Sequence, residues 1–389
     1  MKKLKIALLV ERMLPGSIPK LIGAEARYLK KSGHEVDVVS IMNGGLPSGS
    51  YQFREFLHDV TIREVPKEYP FAKYFDFKIP FFSFLSGYHL AGPFFVPRIL
   101  ETKEYDVVVS QGSLTCLTAY QIWRQRKIPY VAYVWDPFSY ILDKVYSQRL
   151  PSPVFHQMYK VVSWLDRFIV ENSLITLTPS ASHANLLRSL TNKKKIEEVY
   201  MGCAHLDCIP QQRGNYLLAI DRWDKGNMPH FLLRIMEKTK VKSKLIVAGF
   251  SSEESIRQSF LEMRAKKGLT DRVEWLGPVS ETELSKLYTN ARAWLHPIEE
   301  SSVSMPALEA AGHGCPIIMP KSTPLFEHEH QGFFPAEGNL DEYAQYVDRL
   351  SSDERLAWKM GHEAWKVAKN YTWENHSKRL EEILLNTLC

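Results

Sequence analysis

The feature that most restricts this chain is a strand-sized apolar run followed by a helix-sized amphipathic one, repeated through two separate rounds. Residues 4–10 (LKIALLV) read as a strand buried on both faces, the kind found in parallel sheets. After a Pro/Gly loop, residues 18–31 carry apolar side chains at helical spacing. Gly33-His34 ends that helix, and residues 35–41 return as a strand. A strand–helix–strand opening commits the chain to a right-handed crossover and the start of a Rossmann-like domain. Further strands are expected at 60–65, 105–110, 130–135, 174–178 and 196–200, with helices near 115–125, 153–171 and 182–190. The alternation then restarts. Strands at 216–220, 244–248, 272–276 and around Trp294 alternate with helices at 229–238, 253–267 and 281–290. From Leu340 the chain is helical to its end, apart from a break at 370–372. Two rounds imply two doubly wound α/β domains, joined near 205–215, where Pro210, Gln211, Gln212 and Gly214 interrupt the period. The domains expected are 1–209, 215–370 and a last segment, 371–389.

A length of 389 residues agrees with more than one core. No apolar run reaches the ~18 residues that a membrane-spanning helix needs. The N-terminal MKKLKIALLVER has a basic start, but an acidic residue follows its short apolar run directly, so it reads as a first strand rather than a signal peptide. Cys116, Cys203, Cys208, Cys315 and Cys389 are scattered and odd in number, which favours a reducing, cytoplasmic compartment over a disulfide framework. The formal charge of +5 is mild and suits an anionic substrate. Basic and aromatic residues are not interleaved as nucleic-acid binding requires. One segment fits neither round: 69–97 is dense in Phe and Tyr and punctuated by Pro and Gly. It reads either as an irregular aromatic insertion on the first domain or as an interfacial surface for a lipid or membrane, flanked by Lys73, Lys78 and Arg98.

The stretch 291–316 (ARAWLHPIEESSVSMPALEAAGHGCP) carries the chemistry. Its short apolar strand leads through a Glu/Ser loop into a helix with Pro306 in its first turn, ended by Gly312 and Gly314. Strand, loop and helix N-terminus in that order build an anion-binding corner of backbone N–H groups. Arg222 and Lys225, three apart at another strand-to-helix turn, are spaced to converge on one diphosphate.

Several stretches carry a family resemblance: AIDRWDKGNMPHFLLRIM, LIVAGFSSEES, RVEWLGPVSETELSKLYTNARAWLHP, MPALEAAGHGCPII and YTWENHSKRLEEIL, with GSIPKLIGAEARYLKKSGHEVDVVS in the first half. Together they resemble family 4 of the retaining, nucleotide-sugar-dependent glycosyltransferases. The resemblance implies the GT-B fold: two facing Rossmann-like domains, an acceptor domain first and a donor domain second, with the C-terminal helix crossing back to the first. It implies donor contacts at Gly16, Ser17, Arg222, Lys225, Gly249, Pro278, Val279, Ser301, Ser304, Met305 and Glu309, the last at the ribose hydroxyls. Arg222 and Lys225 would stabilise the leaving diphosphate, and Asp136, with Gln111 beside it as a second candidate, would position the acceptor. No Asp-x-Asp clamp appears, so no metal and no cofactor are expected beyond a UDP-, GDP- or ADP-sugar donor.

The pattern departs from the family at two places. Ser301 occupies the position of the family's first Glu, with Glu300 one residue off, and the usual His is absent from the stretches 109–112 and 134–136. The expected activity is metal-independent, retaining transfer to a glycan or lipid-linked acceptor at the cytoplasmic membrane face. The alternative is a catalytically weak or inactive member that serves as a nucleotide-sugar-binding or partner subunit.

Overall fold

The computed structural model describes residues 2–13, 17–42, 60–79, 82–102, 104–147, 149–192, 195–223, 228–251, 253–298, 304–320 and 325–388. The chain divides into two compact units. The first comprises Met1–Tyr200 with His376–Cys389, the second Met201–Asn375.

The first unit is built on strands β1 (Lys5–Val10), β2 (Glu35–Ser40), β3 (Ile62–Glu64), then β4 (Lys78–Ile79) and β5 (Phe82–Ser86) as a separate antiparallel ribbon, and β6 (Val107–Gln111), β7 (Tyr130–Tyr133), β8 (Ile175–Thr178) and β9 (Ile196–Glu198). Seven of these form one parallel sheet in the order β3-β2-β1-β6-β7-β8-β9. The strand order reverses between β1 and β6, the hallmark of a doubly wound sheet. Residues of β1, β6 and β7 are buried almost without exception, as a sheet covered on both faces demands. The helix Ser17–Lys31 packs through Leu21, Ile22, Ala26 and Leu29, one face of a 3.6-residue period.

The second unit carries β10 (Tyr216–Ile220), β11 (Lys244–Ala248), β12 (Val273–Gly277), β13 (Ala293–Leu295), β14 (Ile317–Ile318) and β15 (Gly332–Phe333). They are parallel, in the order β12-β11-β10-β13-β14-β15, with the reversal between β10 and β13. A core of its own surrounds them, from Leu217 and Trp223 to Tyr343 and Met360.

Three expectations change. The segment 69–97 is not irregular: it holds a 3₁₀ turn (Pro70–Phe75), the β4–β5 ribbon and a helix, Gly87–Ile99, with Pro93 and Pro97 inside it. An interior proline costs roughly 3 kcal/mol, which burial of Tyr88, Ala91, Phe95, Val96 and Ile99 offsets. The helix Phe138–Tyr146, which was not among the expected elements, also forms. The joint expected at 205–215 is tied into the second unit. The Arg213 guanidinium donates to the carbonyls of Tyr288, Thr289, Ala291 and His313 at 2.8–3.4 Å, and Leu206 N–H donates to Gly312.

Candidate active site

In the second unit the candidate donor residues stand beyond the carboxyl ends of the sheet, where ligands of doubly wound folds bind. Strand β10 runs into Asp221, whose Oδ1 accepts from the Arg222 backbone N–H at 2.6 Å, and Arg222 itself is exposed. The turn is anchored by Trp223, fully buried, whose indole N–H donates to Ala248 at 2.7 Å and whose backbone N–H donates to Phe250 at 2.7 Å. Beside it, Gly249 ends β11 at φ +114, and a Cβ there would lie 1.9 Å from the Asp221 carbonyl oxygen. Only glycine lets the two turns pass. Pro278 and Val279 follow β12, exposed and half-buried respectively.

From β13 the chain reaches His296, whose ring stacks on Trp294 at 5.2 Å between centroids and whose Nδ1 is 3.5 Å from Asp221 Oδ2. The helix Met305–Gly312 then begins. Ser304 caps it by accepting from Ala307 N–H at 3.3 Å, and the left-handed Gly314 (φ +67) lies just beyond its end. Ser304 and Met305 are buried. Glu309 is 9% exposed and lies just past the first turn, where its Oε2 accepts from the Tyr288 hydroxyl at 3.4 Å. Burial, with the Glu309 carboxylate next, holds the Tyr288 phenol well above its ordinary range, so it is a donor at all ordinary pH. The arrangement presents an exposed cation, a helix N-terminus and a carboxylate at one sheet edge: a charge distribution suited to a nucleoside diphosphate.

Gly16, Lys225 and Ser301, with Glu300 beside the last, lie outside the described residues. Ser17 opens the helix Ser17–Lys31 and is exposed.

In the first unit Gln111 is buried and not open to a substrate. Its Nε2 donates to Glu25 at 2.6 Å, the other Glu25 oxygen meets His376 Nε2 at 2.9 Å, and His376 Nδ1 meets the Tyr200 carbonyl at 2.7 Å. Gln111 therefore closes a structural chain. Asp136 differs: its carboxylate is 43% exposed and sits beyond β7. The structure sets it 3.9 Å from His183 Nε2, a side chain the sequence reading did not single out. The one local signal was Ser180 three residues earlier, whose hydroxyl accepts from His183 N–H as a helix cap, and it announces a helix start rather than chemistry. Among the described residues no three of His, Cys, Asp and Glu gather as a metal site, and no helix is long and apolar enough to cross a membrane.

Comparison with known proteins follows the same division. Residues 210–367 match the family model described as glycosyl transferases group 1, and residues 21–204 match that of glycosyltransferase family 4. An uncharacterized glycosyltransferase of Methanocaldococcus jannaschii is 24% identical over 92% of this chain and 93% of its own. Sucrose-phosphate synthase of Thermosynechococcus elongatus superposes with a TM-score of 0.76 at 13% identity, covering 98% of each chain. HepE of Anabaena, solved in complex with UDP-glucose, does so with a TM-score of 0.74 at 14% identity, over 98% of this chain and all of that one. The likeness to these solved structures establishes the fold of two parallel, Rossmann-like units.

Proposed function

This chain belongs to the family 4-like glycosyltransferases, and on that premise we propose that it moves a sugar from a nucleotide-diphosphate donor to a glycan or lipid-linked acceptor, with retention and without a metal. The observation that carries the reading is the carboxyl edge of the C-terminal sheet. There the Gly249-dependent turn presents Arg222, and the capped helix Met305–Gly312 presents its N-terminus and Glu309. In bond-breaking, negative charge grows on the leaving diphosphate. Arg222, Lys225 and the backbone N–H groups behind Ser304 and Met305 stabilise it. Such fixed donors act on charge that develops in the transition state, where they count most. The family resemblance adds Gly16 and Ser17 as proposed contacts of the donor phosphate. Gly249, Pro278, Val279 and Ser301 line the nucleotide and sugar, and Glu309 accepts from the ribose hydroxyls. Asp136 orients the acceptor hydroxyl while the donor phosphate takes its proton.

HepE's complex with UDP-glucose makes that nucleotide sugar the first donor to try. Native mass spectrometry and calorimetry with UDP-, GDP- and ADP-sugars test the reading directly. One nucleotide class should bind, and Arg222→Ala and Glu309→Ala should each weaken binding or slow donor turnover about 10²–10³-fold without unfolding the protein. Binding by none of the three, or turnover indifferent to both substitutions, would overturn it.

We also propose peripheral contact with an anionic membrane at the cytoplasmic face. Phe71, Tyr74, Phe77, Leu90 and Phe94 of the aromatic segment are each about half exposed or more, and exposed Lys73 and Arg98 flank them. Vesicles containing phosphatidylglycerol should sediment the protein at low salt, and Leu90→Glu with Phe94→Glu should release it. Equal sedimentation of the double variant would remove this segment from the contact.

A further inference from the structure

Among the described residues of the second unit only two large apolar side chains are exposed, Phe250 at 38% and Leu276 at 42%. Both stand at the carboxyl ends of neighbouring strands, β11 and β12. Phe250 is the aromatic one of the pair, and it lies outside the core that β11 helps to build. Burial therefore does not account for an aromatic ring at this corner. Two side chains are also too few for a protein interface, which needs roughly 800 Å² from each partner.

The backbone beneath the ring is bonded to both adjoining turns. Gly249 N–H donates to the Gly277 carbonyl at 2.8 Å, which ties the turn after β11 to the turn after β12. The Phe250 carbonyl accepts from Trp223 N–H at 2.7 Å, and Trp223 pairs with Ser251 as an isolated parallel bridge. Trp223 is the sequence neighbour of the exposed Arg222. The left-handed Gly249 lets these turns pass so closely. Phe250 is thus an exposed ring on a fixed backbone, held at a set spacing from Arg222.

Sheet order puts that ring in line with the groups proposed for the diphosphate. In the order β12-β11-β10-β13, Arg222 follows β10, and the helix Met305–Gly312 opens beyond β13. Strand β11 is the next one out, on the side away from that helix. Neighbouring strand axes lie about 4.8 Å apart, so β11 is roughly 5 Å from β10 and roughly 10 Å from β13. A nucleoside diphosphate covers such a span between its phosphates and its base, with the ribose between them. The base is a flat π system, and an aromatic face is a partner it can stack on.

We propose that Phe250 is the platform on which the nucleobase of the donor stacks. That role rests on the nucleotide-sugar reading of the same edge and adds to it the residue that holds the base. Because every base has a π face, Phe250 supplies affinity and position rather than the choice among uracil, guanine and adenine.

Calorimetry and proton NMR on the full-length protein test this with UDP, GDP, ADP and inorganic pyrophosphate. Whichever nucleotide binds, its base protons should move upfield, as protons over a ring face do. Phe250→Leu keeps an apolar side chain without a π face and should abolish that shift. Phe250→Ala should weaken the nucleotide about 10–100-fold, and Phe250→Tyr should restore it to within about threefold. Pyrophosphate has no base, so it should bind the wild type and Phe250→Ala alike. Unchanged nucleotide affinity in Phe250→Ala, or an upfield shift that survives Phe250→Leu, would overturn the proposal. So would an equal loss of pyrophosphate, by assigning Phe250 to the phosphate turn. These outcomes leave the donor site standing, because the wild type still binds its nucleotide. Binding of no nucleotide by the wild type would strike the donor reading itself, and the stacking role with it.

Discussion

Gly249 marks how narrowly a single residue sets the donor edge. Its φ of +114 is rare for any side chain, and a Cβ would meet the Asp221 carbonyl oxygen at 1.9 Å, a backbone atom that cannot swing aside. Gly249→Ala should therefore cost more than 3 kcal/mol or so in a urea titration, and a loss under 1 kcal/mol would mean that the β10 turn shifts freely. Arg213 is the second such residue. Its guanidinium holds four backbone carbonyls, so Arg213→Ala should cost about 3–5 kcal/mol by leaving them unsatisfied in the interior, while Arg222→Ala, at an exposed position, should stay within about 0.5 kcal/mol. Residue types carried part of this into the sequence. Arg222 and Asp136 stood out as candidates because they are charged residues just past a strand, whereas Glu309, inside the helix Met305–Gly312, was singled out only by the family resemblance. His183 was not legible, because its neighbours are a carbonyl of residue 135 and a carboxylate of residue 136, brought to it by strand pairing. Arg213 was read as part of a joint because its acceptors are main-chain atoms, which have no signature in sequence.

At the level of elements, apolar runs of strand length were readable wherever both faces are covered, and the missed pieces are those held by other parts of the fold. The helix Phe138–Tyr146 is an example: Asp166, on the neighbouring helix Ser152–Asn172, accepts from Phe138 N–H and Ser139 N–H at 2.8 Å and from Ser139 Oγ at 2.6 Å. A cap donated from 27 or 28 residues away leaves no local motif. It has a consequence for pH. Burial pushes the Asp166 carboxyl from its ordinary 3.8 up to about 6, against the lowering by its hydrogen bonds to Ser139 and Phe138. A carboxyl whose proton is held more tightly in the folded chain contributes stability that is complete below about pH 4 and is lost as pH rises through about 6. The loss amounts to at most about 3 kcal/mol. Urea midpoints measured from pH 4 to pH 7 should show this fall in the wild type, and Asp166→Asn should flatten it. A slope that survives the substitution would assign it to another group.

The molecule as a whole is a chain that leaves its first unit after Tyr200 and re-enters it at His376. Periodicity made the helix Trp373–Leu388 legible but not what it packs on, since Leu380, Ile383 and Leu384 would suit any apolar face. The resemblance pointed to the first domain, and the reason is visible in two buried pairs. His376 meets Glu25 at 2.9 Å, on the helix after β1, and His34 Nε2 meets Glu381 at 2.9 Å while its Nδ1 accepts from Leu4 N–H at 3.1 Å. Both pairs close contacts some 350 residues apart in sequence. Ending the chain at Asn375 removes three buried aliphatic side chains and strips Glu25 and His34 of a partner. At about 2–5 kcal/mol for each large buried side chain, plus the charge left behind, the loss exceeds most of a domain's 5–15 kcal/mol. The second unit keeps its own core and every described donor residue except Ser17. The truncated chain should therefore lose the near-UV signal of its first unit and be digested rapidly within residues 1–200 by a trace protease, while a 201–375 fragment persists and still binds the nucleotide that the intact protein selects. Simultaneous digestion of both regions would show that the second unit depends on the first for its stability. Protection of both would show that the two histidine–glutamate pairs hold the helix in place without sustaining the sheet beneath it.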